Sequence, residues 1–231
     1  MPESTILLTG ASRGIGYETA IELAQRGYRV IGVARSEEKL KSLQSSFPKH
    51  FHPVPVDLSK IDETKLLNDA LSEFAPFQAV IHNAGGIINK KFDHLTDDDW
   101  HYLTELNLMA AVRLYRKLPP YMEIPGHVLT ISSMGGFMGA TKYPGLAAYS
   151  TTKGALTTLS ECLAAEWKDQ KISSNCLCLG AVHTEMFEDA FPGMNAPVTP
   201  EDMAEFIADF ALKGHRFFNG KVLPVSLEDP K

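Results

Sequence analysis

Short, almost uninterrupted apolar runs alternate with segments whose apolar positions recur every three or four residues, and the rhythm continues along nearly all of the 231 residues. "STILLTG" (4–10), "YRVIGVA" (28–34), "QAVIHNAG" (78–85), "GHVLTISS" (126–133) and "ISSNCLCLG" (172–180) read as strands buried on both faces. "FHPVPVD" (51–57) is a strand broken by prolines, which places it near an edge, and "GKVLPVS" (220–226) is a last short strand. Helices are predicted over 14–26, where Ile15, Ala20, Leu23 and Ala24 form an apolar side, over 36–47 with Ser36 as N-cap, and over 60–74. One or two more occupy 96–122 and end at Pro119 and Pro120. Another spans 147–169 with a stripe of Leu156, Leu159, Leu163 and Trp167, and the last, over 199–212, has Thr199 as N-cap and Pro200 at its first position. Such alternation predicts an α/β fold, one doubly wound domain over 1–231 whose largely parallel sheet is covered on both faces. In these sheets ligands bind beyond the carboxyl ends of the strands. The loops that matter are therefore 9–16, 34–36, 57–59, 83–88, 132–146 and 180–198.

Composition narrows the picture only a little. Hydrophobic content of 44% and charged content of 22% suit a globular chain with a sizeable core. A net charge of −6 argues against a general nucleic-acid binder. The odd, low cysteine count (Cys162, Cys176, Cys178) fits a reducing, cytoplasmic setting, and strand alternation points Cys176 and Cys178 to one face as core. The beginning does not resemble a signal peptide, and no apolar run approaches a membrane span. His50, His52, His94, His101, His127, His183 and His215 lack ligand spacing, so no metal is expected. The acids of "TDDDW" (96–100) suit a helix N-terminus.

The first loop, "TGASRGIG", follows a strand and opens a helix, the setting a dinucleotide loop requires. Gly10 permits a tight turn, Gly14 or Gly16 a close backbone approach, and the helix N-terminus would face a pyrophosphate. The second strand ends "GVARSEE", with Ala34 where an acid would bind a ribose 2′-hydroxyl and Arg35 next to it. Arg35 and Arg13 without that acid suit a 2′-phosphate. Asp57, at the third strand end, would either contact adenine or simply cap a turn. Tyr149 and Lys153, four residues apart in "AAYSTTKGAL", would share one helical face. A free phenol titrates near ~10, too high for a base at neutral pH. At ~4 Å and an effective dielectric of ~20 an ammonium attracts a phenolate by about 4 kcal/mol, enough to bring it toward working pH.

"TGASRGIG", "HNAG" (82–85), Asn107, Ser133 in "ISSMGG" and "YSTTK" occur in the order seen in the short-chain dehydrogenase/reductases, and over about residues 5 to 225 the chain resembles that Rossmann-type family. The resemblance implies a catalytic tetrad of Asn107, Ser133, Tyr149 and Lys153. Tyr149 would be the general acid or base, Ser133 would bond the substrate oxygen, and Lys153 would hold the nicotinamide ribose and lower the tyrosine pKa. Asn107 would fix a water behind Lys153. The cofactor, NADP(H), would lie along Gly10, Ser12, Arg13, Gly14, Ile15 and Gly16, then Arg35, Asp57 and Leu58, then Asn83, Ala84 and Gly85, with Tyr149, Lys153, Val182 and Thr184 at the nicotinamide end. The resemblance also implies a small carbonyl or alcohol substrate and a homodimer or homotetramer.

The chain departs from the family in four places. His82 stands where Asn is frequent. Ser133 lies 16 residues before Tyr149, a longer spacing than usual, with the extra residues in "GATKY" (139–143). Ser132 is a rival to Ser133, and Leu179 replaces the usual proline before Gly180. The ending "GKVLPVSLEDPK" lacks the family's glycines. The loop 184–198 is short for a lid, and Met134, Phe137, Tyr143, Met186, Phe187 and Phe191 could make an apolar pocket. Two alternatives stand beside an oxidoreductase: a nonenzymatic NADP(H)-sensing or scaffold protein, and a lyase or epimerase of the same superfamily.

Overall fold

The computed structural model describes residues 4–60 and 64–227. Seven parallel strands form one sheet in the order β3-β2-β1-β4-β5-β6-β7. They are β1 (Thr5–Thr9), β2 (Arg29–Ala34), β3 (Phe51–Pro55), β4 (Phe77–His82), β5 (Met122–Ser133), β6 (Ile172–Leu179) and β7 (Val222–Val225). The helices between them are α1 (Gly14–Gln25), α2 (Glu37–Ser46), α3 (Thr64–Phe74), α4 (Asp97–Leu103), α5 (Ala110–Tyr115), α6 (Ala147–Glu166), α7 (Glu185–Ala190) and α8 (Pro200–Lys213). The part of the helix expected over 60–74 that falls on 61–63 lies outside the described residues.

The near-continuous apolar strands are explained by two cores, one on each face of the sheet. Ile6 and Leu8 pack with Ala20 and Leu23 of α1, Leu40 and Leu43 of α2, and Ile207 and Ala211 of α8. Leu7, between them, turns the other way to Leu71 of α3, Leu114 and Tyr115 of α5, Leu156 of α6 and Trp167 just after it. The period-2 alternation of strand side chains divides a wholly apolar run between two helical layers. Each fully buried leucine contributes about 1.5–3 kcal/mol, so both layers are held firmly against the strands that carry the loops. Cys176 and Cys178 are buried on one face of β6 against Met134.

Caps fix where several helices begin. The Ser36 hydroxyl accepts from Lys39 N, and the Thr199 hydroxyl from Asp202 N with Pro200 at the first position. Thr96 and Asp99 form a reciprocal capping box that starts α4 among its acids. The prolines of β3 and of β7 lie in the two edge strands. α4 and α5 are joined by a π-helical turn, Thr104–Met109, rather than by the break the sequence left open. No helix among the described residues is long and apolar enough to cross a membrane.

Candidate active site

A cleft of about 790 Å³ runs along the carboxyl ends of the strands. Gly10, Ser12, Arg13, Gly14, Ile15, Arg35, Asp57, Leu58, Asn83, Ala84, Gly85, Ser133, Tyr149, Lys153, Val182 and Thr184 all line it. Gly16 and Asn107, also singled out from the sequence, stand behind the wall and support it. Gly10 adopts φ +73°, the left-handed region, as the chain turns from β1 toward α1. At Gly16 a β-carbon would come within 2.2 Å of Gly10 O, so only glycine lets α1 approach the turn this closely. No side chain caps α1, which leaves its leading N–H groups available to a pyrophosphate. The loop therefore fits a dinucleotide on its own geometry.

Charges gather beside this loop. Arg13 Nη1 lies 4.0 Å from Glu185 Oε2, and Lys39 Nζ lies 3.7 Å from Glu185 Oε1. Burial works to raise the Asp57 carboxyl, but bonds from Ser59 Oγ (2.7 Å) and Ser59 N (3.0 Å), with the charges of Arg35 and Lys60, bring it below the usual carboxylate value. Asp57 thus caps a turn while facing the cleft. Sequence reasoning missed Lys39 and Glu185. The first was detectable, since it sits in the first turn of the helix that starts right after Arg35. The second was hidden, because α7 as a whole went unforeseen in a loop rich in proline and glycine, although Thr184 caps it by accepting from Phe187 N at 3.2 Å.

A single hydroxyl ties the glycine loop to the next strand. Thr9 Oγ1 accepts from Asn83 N (3.1 Å) and Ala84 N (3.0 Å), so its proton goes to His82 Nδ1 at 3.1 Å. His82 is fully buried against the edge of Tyr115, with ring centroids 5.7 Å apart. Burial, aided by the charge of Lys153, pushes its pKa down to about 3 and keeps it neutral. The histidine found in place of the family's frequent asparagine is thus a neutral acceptor that holds Thr9 in place.

The middle of the cleft is assembled from β5, α6 and the π-turn. Ser132 donates to Lys153 O at 2.8 Å and is occupied. Ser133, one residue on and hence on the opposite side of the strand, bonds the Tyr149 phenol. Lys153 is 5% exposed, and its ammonium donates to Ile131 O at 3.0 Å. Asn107 Oδ1 accepts from Gly86 N (2.7 Å), while its Nδ2 donates to Gly86 O (3.0 Å) and Thr152 Oγ1 (3.0 Å), pinning the loop after β4 to α6. A β-carbon on Gly85 would lie 3.1 Å from both Asn107 Oδ1 and Lys153 Nζ, which measures how tightly these groups converge.

Electrostatics here differ from the simple pairing expected from the four-residue spacing. Burial raises the Tyr149 phenol above its ordinary value, opposed by the bond from Ser133 and reinforced by Cys178. Burial also pulls Lys153 down to about 8, against the pull of Cys176 and Cys178. Desolvation is the largest influence on both groups, and the ammonium donates to the Ile131 carbonyl.

Beyond Tyr149 the cleft becomes apolar, walled by Met134, Tyr143, Leu146, Met186, Phe187 and Phe191. Phe137, proposed for this wall from sequence, packs instead against the Cys176–Cys178 cluster. Three loops are joined at the rim by Asn89. Its Nδ2 donates to Ala190 O at 2.8 Å, tying down the end of α7. Its Oδ1 abuts Gly145, where a β-carbon would overlap it at 2.1 Å, and Lys90 N donates to Gly145 O at 2.9 Å. No sequence signal marks this exposed amide. Ser226, after β7, closes the cleft against Gly180.

Such a cleft, with a glycine loop at one end and a serine–tyrosine–lysine group at its centre, defines a nucleotide-dependent oxidoreductase architecture. The family pattern for short chain dehydrogenase matches residues 4–195, and the chain belongs to that family of oxidoreductases, which work with nicotinamide cofactors on small molecules. It is 30% identical over 214 residues to the uncharacterized oxidoreductase YvrD of Bacillus subtilis (strain 168), covering 91% of this chain and 80% of that one. It is 33% identical over 183 residues to carbonyl reductase [NADPH] 2 of Sus scrofa, covering 78% and 72%. A 3-ketoacyl-(acyl-carrier-protein) reductase from Brucella melitensis, solved with NADH, superposes with a TM-score of 0.85 at 25% identity over 96% of both chains.

Proposed function

We propose that this protein, acting as one domain, is an NADP(H)-dependent carbonyl reductase that transfers hydride reversibly between the nicotinamide and a carbonyl or alcohol. The observation that carries the reading is the convergence of Ser133, Tyr149 and Lys153 midway between the glycine loop and the apolar end of the cleft. Bound NADPH supplies the hydride to the carbonyl carbon and leaves as NADP⁺. Gly10, Ser12, Gly14 and Ile15 offer backbone to the phosphates, with Gly16 allowing the approach. Arg35, with Arg13 and Lys39 drawn from Glu185, would hold the 2′-phosphate, while Asp57 and Leu58 would flank the adenine. Asn83, Ala84, Gly85, Val182 and Thr184 line the path to the nicotinamide. Ser133 donates to the substrate oxygen, and Tyr149 gives it a proton as the carbon is reduced. Lys153 would hold the ribose hydroxyls. Asn107 fixes the loop and helix between which Lys153 sits.

At neutral pH the raised phenol keeps its proton and can give it in the reducing direction, whereas oxidation would need it ionised. The three thiols are unpaired, which supports a cytoplasmic setting. Leu108 in the π-helical turn and Leu159 and Leu163 of α6 are only partly buried, which supports a dimer or tetramer formed through these segments. The test is Tyr149→Phe: turnover should fall at least about 10²-fold while NADP(H) affinity stays within a few-fold, and Lys153→Ala should damage both. Near-normal turnover of Tyr149→Phe at every pH would refute the assigned role.

A further inference from the structure

The distribution of charge along the cleft identifies the substrate more closely than its volume does. Four of the charged side chains lining it, Arg13, Arg35, Asp57 and Glu185, lie at the glycine-loop end. The fifth, Lys153, is at the centre and is bound to Ile131 O. The far end, built by Met134, Tyr143, Leu146, Phe187, Phe191 and Met194, contains no cation among the described residues.

Basic groups in the flanking loops do not supply one. Lys90 Nζ donates to Asp99 Oδ2 at 2.7 Å, Lys142 Nζ to Phe137 O at 2.6 Å, and His183 faces Glu188 at 3.0 Å. Lys91 does not line the cleft. The helix covering this end carries Glu188 and Asp189, which repel an approaching anion. Phe187 and Phe191 meet at 5.2 Å with their planes tilted by 41°, offering an aromatic wall.

From these observations we infer that the substrate is an uncharged carbonyl compound with an apolar, ring-bearing body, and that the same body bearing a carboxylate is rejected. This inference rests on the carbonyl-reductase reading above. A carboxylate entering the far end would lose its hydration without gaining a counter-charge, while a neutral ring loses little and gains contact with the two phenylalanines.

Methyl 4-acetylbenzoate and 4-acetylbenzoate test this, because they present the same ketone and differ at the remote group, a neutral methyl ester against a carboxylate. NADPH consumption should give kcat/KM at least about 10²-fold higher for the ester. Calorimetric binding to the wild-type protein saturated with NADP⁺ should favour the ester by at least about tenfold, whether or not turnover occurs. Met194 is 58% exposed at the rim, and Met194→Lys should raise activity on the acid relative to the ester. Equal handling or binding of the acid, or no binding of either compound, would overturn the inference. Ester-selective binding without reduction of any carbonyl would instead overturn the reductase reading and leave the inference about the pocket standing.

Discussion

Replacing Lys153 by Met should make the protein more stable at neutral pH while abolishing its proposed chemistry. The lysine is nearly fully buried, and its pKa is displaced from 10.5 to about 8, first by burial and despite the pull of Cys176 and Cys178. Between those two values the unfolded chain binds more protons than the folded one, so wild-type stability rises with pH through the window. Below pH 8 the full cost of a buried ammonium is present, about 3 kcal/mol at 1.36 kcal/mol per decade of proton affinity. Met fills a similar volume but forfeits the bond to Ile131 O, which offsets about 1 kcal/mol. The net expectation is a gain of about 2 kcal/mol at pH 7, or about 4–8 °C in Tm for a chain of this size. Urea unfolding of both proteins without added cofactor, at equal concentration from pH 6.5 to 10, measures it. The advantage of the variant should shrink as pH rises above 8 and then reverse to a small deficit. A variant no more stable than wild type at pH 7, or a gap constant across this range, would show that the ammonium is not under desolvation strain.

Three other outcomes are expected. NADP(H) should be preferred over NAD(H) by at least about tenfold, Ala34→Asp should reverse the order, and Arg35→Ala should weaken NADP(H) more than NAD(H); titrating both cofactors checks this, and equal wild-type affinities would contradict it. Asn89→Ala should free the end of α7 and raise the ketone KM about three- to tenfold with cofactor affinity unchanged, while Asn89→Ser, too short to reach Ala190 O, should behave alike; steady-state kinetics with each substrate varied separates this from a general loss of fold. Sedimentation at micromolar concentration should reveal a dimer or tetramer rather than the 25.4 kDa chain alone.

Much of the architecture was legible because it depends on short-range periodicity. A strand flanked by helices on both faces must be apolar at successive positions, as Ile6, Leu7 and Leu8 are. Caps such as Ser36, Thr96 and Thr199 act within three residues, so the helix starts could be read locally. The residues proposed for the site do meet at the ends of the strands, with Gly16 and Asn107 as supports. What escaped were relations across long stretches of chain. Asn89 meets Ala190 101 residues away, and Glu185 faces Arg13 and Lys39 from a distant part of the chain. The balance at Tyr149 and Lys153 was also hidden, since spacing reveals that two groups share a face but not how deeply both are buried.

The position of the prolines also bears on solubility. Five apolar central strands would be hazardous if another strand could join either side. The sheet ends, however, in β3 with Pro53 and Pro55 and in β7 with Pro224. A proline has no N–H to lend to a ladder, and its ring obstructs an incoming backbone. Both margins are therefore poor templates for growth, and β7 is short as well, at four residues. Replacing Pro53 or Pro224 by valine would keep the apolar pattern while restoring a donor to the margin. Such a chain would fold to the same sheet yet carry an open seam along which crowded copies could stack.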